Sequence, residues 1–265
     1  LIDTPTAAAA GATWAAWVTG HLLVTVVVLV ALLCAAAIGL WTFIRQAGTE
    51  AGRRRRRRNV FLVLLGAQAV MVVLLAMHIG QDGALTRVDK VLAGALAAQA
   101  DHDILRAMAV VTRLGDRDGL LILGALVTAV MLWRRRWWLA AEWTLVTAGN
   151  GLLIVFLKET FARVRPEHVH GFETAHGWSF PSGHAAGSTA VYGMLCYLAM
   201  RKSPPSWRPA ILVASVMLLI TIGLSRVVLQ VHFLSDVLAG FACASLWLAA
   251  CVAASAALRG KLAPR

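Results

Sequence analysis

Apolar stretches long enough to cross a bilayer recur along this 265-residue chain, and the polar residues gather in the gaps between them. A membrane-crossing helix needs about 20 mostly apolar residues. Seven segments predict such helices: 14–44, 60–79, 118–133, 138–157, 184–200, 209–224 and 234–256. The first is long enough to tilt or to run past the bilayer. Between the second and third, residues 80–117 are more polar. Leu85, Val88, Leu92 and Leu96 recur there at helical spacing, and Ile104, Leu105, Met108 and Val111 repeat the pattern. One or two amphipathic helices on the membrane surface are predicted, able to cap a site or simply to pack against the bundle. The expected fold is an all-α, polytopic membrane helical bundle.

Composition agrees. The chain is 59% hydrophobic with a mean hydropathy of +0.73, above the roughly 45–50% apolar content of soluble domains. The net charge of +12 invites a nucleic-acid reading, but the distribution of the cations excludes it. Arg53 to Arg58 follow the first apolar segment, Arg134 to Arg136 the third, Arg201, Lys202 and Arg208 the fifth, and Arg259, Lys261 and Arg265 the seventh. With Arg45, these cations lie on one side of the predicted bundle, beside only Glu50 and Glu142. By the positive-inside bias this side is cytoplasmic, which puts the N-terminus outside and the C-terminus inside. The arginine run is then a topology anchor that also meets anionic lipid. Cys34, Cys196, Cys243 and Cys251 show no metal or disulfide spacing. The chain opens on Leu1 rather than methionine, compatible with a trimmed signal or an upstream domain.

Three short stretches on the opposite, extracytoplasmic side supply a complete phosphate-handling inventory. They are Lys158 to Pro166, Pro181-Ser182-Gly183-His184, and Ser225-Arg226 followed by His232 and Asp236. A phosphoryl group in transfer spreads negative charge over its oxygens, so catalysis is mostly positioning and electrostatic stabilisation. Lys158, Arg165 and Arg226 can provide this without a metal, arginine through bidentate contacts and lysine as a point charge. Ser182 can donate its hydroxyl, and Gly183 lets the backbone approach closely. A helix beginning near His184 would also aim its positive end at the phosphate. His232 and Asp236 are four apart, so on a helix they would share a face. A carboxylate on one imidazole nitrogen leaves the other free to attack as nucleophile, and His184 can then protonate the leaving oxygen. In a chain this apolar, the inventory points to a lipid phosphate substrate. His168, His170, Glu173, His176 and Trp178 lie in the connecting loop, where they could touch a headgroup or simply be solvated. His78 and His102 have no partner motif and receive no chemical role.

Lys-x6-Arg-Pro, Pro-Ser-Gly-His and Ser-Arg-x5-His-x3-Asp resemble, without gap or substitution, the three signatures of the type 2 phosphatidic acid phosphatase family. Its superfamily also holds bacterial acid phosphatases and vanadium haloperoxidases. The resemblance covers about 118–256. It implies a six-span helical core, dephosphorylation without a metal or other cofactor, and a phosphohistidine intermediate. It also implies phosphate binding by Lys158, Arg165, Ser182, Gly183 and Arg226, with His184 as acid, His232 as nucleophile and Asp236 as its partner. Residues 1–58 then form an additional N-terminal span with a basic loop, and 59–265 the phosphatase core. The expected setting is a bacterial inner membrane with the site facing outward. Competing readings keep the site but pass phosphate to another lipid, use vanadate as in a haloperoxidase, or make the charges line a transport pathway. Transport predicts ionisable groups in mid-span, whereas these lie at helix ends.

The topology makes a direct prediction. In a background lacking the native cysteines, Glu173→Cys reacts with a membrane-impermeant thiol reagent in intact cells and Ser203→Cys does not. The reverse labelling pattern would invert the orientation.

Overall fold

The computed structural model describes residues 21–46, 49–79, 83–99, 101–167, 171 and 176–262. Among them are nine α-helices and no strand. They are α1 (Leu22–Arg45), α2 (Glu50–His78), α3 (Ala84–Gln99), α4 (His102–Thr112), α5 (Arg117–Trp133), α6 (Trp137–Phe161), α7 (Gly183–Lys202), α8 (Arg208–Val228) and α9 (Leu234–Leu262). A 3-10 turn at Arg113–Gly115 joins α4 to α5. Each predicted apolar segment coincides with a long helix, except that 14–20 lies outside the described residues.

Among the described residues, four helices suffice by length and hydropathy alone to cross a membrane: α2, α6, α8 and the Leu234–Arg259 part of α9. Helix α5 has only 17 residues. Helix α7 has 20 and carries polar and small side chains, because α5, α6, α8 and α9 all pack around it. A helix enclosed by protein need not be apolar to face lipid. Ala185, Ala186, Ser188, Thr189 and Ala190 are buried there, and small residues let helix backbones approach closely. Further along, Val191 and Met194 meet Trp143 and Val146 of α6. The Trp143 indole donates to the Gly124 carbonyl at 3.1 Å.

The arginine run is not a loop. Thr49 caps α2 by accepting from the Gly52 N–H at 3.1 Å, and Arg53 to Arg58 form the first turns of the helix. Arginine is a strong helix former, so a run of it extends the helix beyond its apolar part. Arg56 reaches back to donate to the Phe43 carbonyl at 2.7 Å, near the C-terminus of α1. Its guanidinium lies 4.5 Å from the centre of the Phe43 ring. Helix α1 packs on α2 and α8.

The polar stretch forms α3 and α4, and both pack. Leu92 and Leu96 cluster with Ala185, Val227 and Val237. Leu105 clusters with Val228, Leu229 and Val231. The expected stripe on α3 needs one correction. Val88 is 52% exposed, whereas Asp89 is 3% exposed on the face shared with Leu92 and Leu96. An acid therefore occupies a core position.

The three stretches converge at one end of the bundle. Lys158 lies in the last turn of α6, Gly183 begins α7, Arg226 lies in the last turn of α8 and Asp236 in the first turn of α9. The opposite end carries Arg134 to Arg136, Arg201, Lys202, Arg208 and Arg259. Buried Glu142 accepts there from Arg259 at 2.8 Å. Close approach at Gly240 sets the site end: a Cβ there would lie 2.7 Å from the Ser182 carbonyl oxygen. Gly240→Ala must shift the 181–184 turn. Its melting temperature in detergent should fall by an amount equivalent to about 1–3 kcal/mol, the usual cost of overpacking. An unchanged melting temperature would contradict the contact.

Candidate active site

Helix α6 ends with Ala162 in the left-handed region, at φ 42°. The chain leaves the helix axis there, so Lys158 remains on the last turn while Arg163 and Arg165 follow in irregular chain. The Lys158 ammonium donates to the Trp178 carbonyl at 2.5 Å. Arg165 donates to the Gly177 carbonyl at 2.9 Å and to those of His176 and Trp178, each at 3.2 Å. Two cations thus converge on one short backbone segment. From the expected headgroup loop, Trp178 also donates its indole N–H to Glu159 at 3.2 Å. His168, His170 and Glu173 lie outside the described residues.

His232 sits in the turn between α8 and α9. Gln230 makes that turn tight with a left-handed φ of 56° and is held by donating to the Ala93 carbonyl of α3 at 2.7 Å. The two faces of the His232 ring have different partners. Nδ1 lies 3.6 Å from Asp236 Oδ2 and 3.4 Å from the Ser179 hydroxyl. Nε2 lies 3.1 Å from Arg165 Nη1, which also donates to the Val231 carbonyl at 2.6 Å. Arginine cannot accept a hydrogen bond, so Nε2 presents its lone pair and the proton belongs on Nδ1. Burial pushes the His232 pKa down to about 3, against the pull of Asp236 and with help from Arg165 and Lys158. The imidazole is therefore neutral. Burial also lowers the Arg165 pKa, with Asp236 opposing it.

Asp236 is heavily bonded. Its Oδ2 accepts from the Ser179 hydroxyl and from the Phe233 N–H, the latter at 2.9 Å. Its Oδ1 accepts from Arg163 at 2.5 Å. Its carbonyl accepts from the Ser182 N–H at 2.9 Å, joining α9 to the turn that starts α7. Arg163 also donates to Ser235 Oγ and to Asp89 Oδ2, both at 2.8 Å, and stacks 4.4 Å from the centre of the Phe233 ring. The Ser235 hydroxyl donates to Asp89 as well.

His184, in the first turn of α7, has its Nε2 2.9 Å from Asp116 Oδ1, the residue that precedes α5. Gly115 makes room for it, since a Cβ there would lie 3.1 Å from the His184 ring and 2.7 Å from Ile222. Ser182 is fully buried, and its hydroxyl has no hydrogen-bond partner among the described residues. Arg226 donates to the Thr112 hydroxyl at 2.5 Å. Both Arg226 and Arg165 act electrostatically on His184. Beside Gly183, the Lys158 side chain passes about 4.0 Å from where a Cβ would be.

All eight residues singled out in the sequence therefore lie at this end of the bundle. Arg163, Asp89, Ser179, Ser235, Asp116 and Thr112 were not singled out. Asp89 carried a signal: it falls in step with Leu85, Leu92 and Leu96, where an exposed acid does not belong. Arg163 stands between two residues of a motif and could have been suspected. Asp116 and Thr112 come from a distant segment and carried none.

Residues 139–259 match the PAP2 superfamily model. Phosphatidylglycerophosphatase B of Bacillus subtilis is 33% identical over 133 residues, 49% of this chain and 65% of that protein. Lipid A 1-phosphatase of Rhizobium johnstonii is 32% identical over 138 residues, 48% of this chain and 53% of that protein. The chain thus spans between about half and two thirds of the length of these relatives. A crystal structure described as the first transmembrane PAP2-type phosphatidylglycerolphosphate phosphatase from Bacillus subtilis superposes with a TM-score of 0.66 at 27% identity, over 73% of this chain and 96% of that one.

The neutral imidazole predicts a pH effect on stability. Unfolded, His232 takes up a proton as pH falls through about 6.5; folded, it resists until about 3. The unfolded state therefore binds more protons in this window, and stability falls with pH across it. Against His232→Gln, wild type should lose more melting temperature between pH 7 and pH 4. Parallel curves would mean that His232 is not buried as a neutral group.

Proposed function

We propose that this chain, which belongs to the PAP2 superfamily through residues 139–259, is an integral membrane phosphatase that removes a phosphomonoester or pyrophosphate group from a lipid. The observation that carries this reading is the pairing of Arg165 with His232 Nε2 at 3.1 Å. It puts a phosphate-binding cation beside the unprotonated nitrogen of a neutral imidazole. A phosphate held by Arg165 has its phosphorus within reach of that nitrogen.

In the first step, His232 Nε2 attacks phosphorus. The N–P bond forms, the ester P–O bond breaks, and the leaving oxygen takes a proton from His184. Asp236 stabilises the charge on the imidazole. In the second step, His184 takes a proton from water, whose oxygen attacks phosphorus, and the N–P bond breaks to release phosphate and restore His232. Lys158, Arg165 and Arg226 bind the phosphoryl oxygens, with the Ser182 hydroxyl and the backbone at Gly183. Asp116 orients His184 as Asp236 orients His232. The fixed cations neutralise the transferring group without a metal.

The charge asymmetry supports an extracytoplasmic site in a bacterial inner membrane. Relatives named for phosphatidylglycerophosphate and lipid A phosphates support a lipid phosphomonoester as substrate. A phosphotransferase is the same chemistry with a lipid hydroxyl in place of water.

Purified protein should release phosphate from a panel of lipid phosphates with EDTA present, and vanadate should inhibit it as a transition-state mimic. Loss of activity on chelation, restored by magnesium, would overturn the mechanism. His232→Ala should be inactive on every substrate and form no phosphoenzyme. His184→Ala should recover part of its activity with an aryl phosphate, whose leaving group needs little protonation. Equal rescue of both variants would reverse the assignment of nucleophile and acid.

A further inference from the structure

We propose that Asp89, on α3 and outside the segment matched by the family model, is a positioning residue that acts on His232 through Arg163 and Asp236. The inference rests on His232 being the nucleophile.

The network is buried throughout. Asp89 is 3%, Arg163 8%, Ser235 2% and Asp236 0% exposed. Arg163 places one nitrogen on each carboxylate, Nη2 on Asp89 and Nη1 on Asp236. Asp89 is fixed in turn by the Ser235 hydroxyl and by the Ser235 N–H at 3.2 Å. Ser235 is the residue before Asp236, so α3 grips the first turn of α9 where the His232 partner resides.

The charges decide the consequence. Asp89, Arg163 and Asp236 together carry one net negative charge, and Asp236 is the member beside His232. The other groups facing His232 are Lys158 from α6, Arg165 from the following loop and the Ser179 hydroxyl. Among the described residues, Asp236 is thus the one anion beside the ring, set against two cations. If Asp89 were neutral, the full charge of Arg163 would fall on Asp236 and cancel it. His232 would then be a poorer nucleophile, and the positive charge that develops on it during attack would be less stabilised. Asp89 divides the pull of Arg163 between two carboxylates. A merely structural ion pair would not need a third charge, because Arg163 and Asp236 already satisfy one another.

The test is a charge cycle on the full-length protein, with release of phosphate from short-chain phosphatidic acid in detergent micelles. Asp89→Asn keeps the shape and leaves Arg163 paired with Asp236. Its kcat should fall about tenfold, the effect of roughly one pK unit at the imidazole. KM should stay within about twofold, because no phosphate-binding group has changed. Asp89→Asn combined with Arg163→Gln removes both charges, restores Asp236 as an unopposed anion, and should return kcat most of the way to wild type. Recovery on deleting a second buried group is not what lost packing produces. If Asp89→Asn purifies folded with unchanged kcat, or if the double variant is slower than the single one, the proposal is overturned. If Asp89→Asn does not fold, the double variant decides: near-wild-type kcat supports the proposal and a large loss overturns it. Wild type that releases phosphate from no lipid phosphomonoester would remove the phosphatase reading itself, a result distinct from active wild type with indifferent variants.

Discussion

A buried guanidinium organises this end of the bundle. Arg163 joins three parts of the chain that are far apart in sequence: the loop leaving α6, the helix α3 and the first turn of α9. Burying a charge is costly unless it is paired and hydrogen-bonded, and removing one partner from such a network is strongly destabilising. The arrangement is therefore intolerant of losing one charge alone. With Arg163 in place, Asp236 is fixed against the Phe233 N–H and the Ser179 hydroxyl, and the His232 ring has its Nδ1 side defined. Arg165, two residues on, extends to the other side of the same ring. A short piece of chain thus supplies both the support of the imidazole and the cation at its free nitrogen.

The remaining geometry follows from where helices begin and end. Lys158, His184, Arg226 and Asp236 occupy terminal turns of four different helices, where the chain can bring charged groups together without placing them against lipid. Close packing of those ends depends on the missing side chains at Gly240 and Gly115. Enclosure of α7 by four neighbours lets the helix that bears His184 be rich in small and polar residues. The chemistry and the weak hydropathy of α7 have a common origin.

The order and type of the elements were legible in the apolar pattern, because a bilayer imposes a long, simple signal. The proposed site residues were legible because three compact motifs stand at predicted helix ends. Their supports were not. Asp116 and Thr112 meet His184 and Arg226 across long sequence separations, and no local pattern encodes such a meeting. Asp89 falls outside the predicted apolar stripe of α3 because that stripe runs through Val88, one residue from the true buried face. Charge alone predicts a loop for the arginine run, but the helix propensity of arginine carries α2 through it.

The carbonyls of His176, Gly177 and Trp178 hold Lys158 and Arg165. A ligand must offer these cations more than neutral peptide dipoles already provide. A phosphomonoester with two negative charges does so readily. A phosphodiester, the singly charged linkage of ordinary membrane phospholipids, competes far less well. On the lipid phosphatase function proposed above, three backbone carbonyls then act as a threshold on ligand charge, set before any headgroup is recognised by shape.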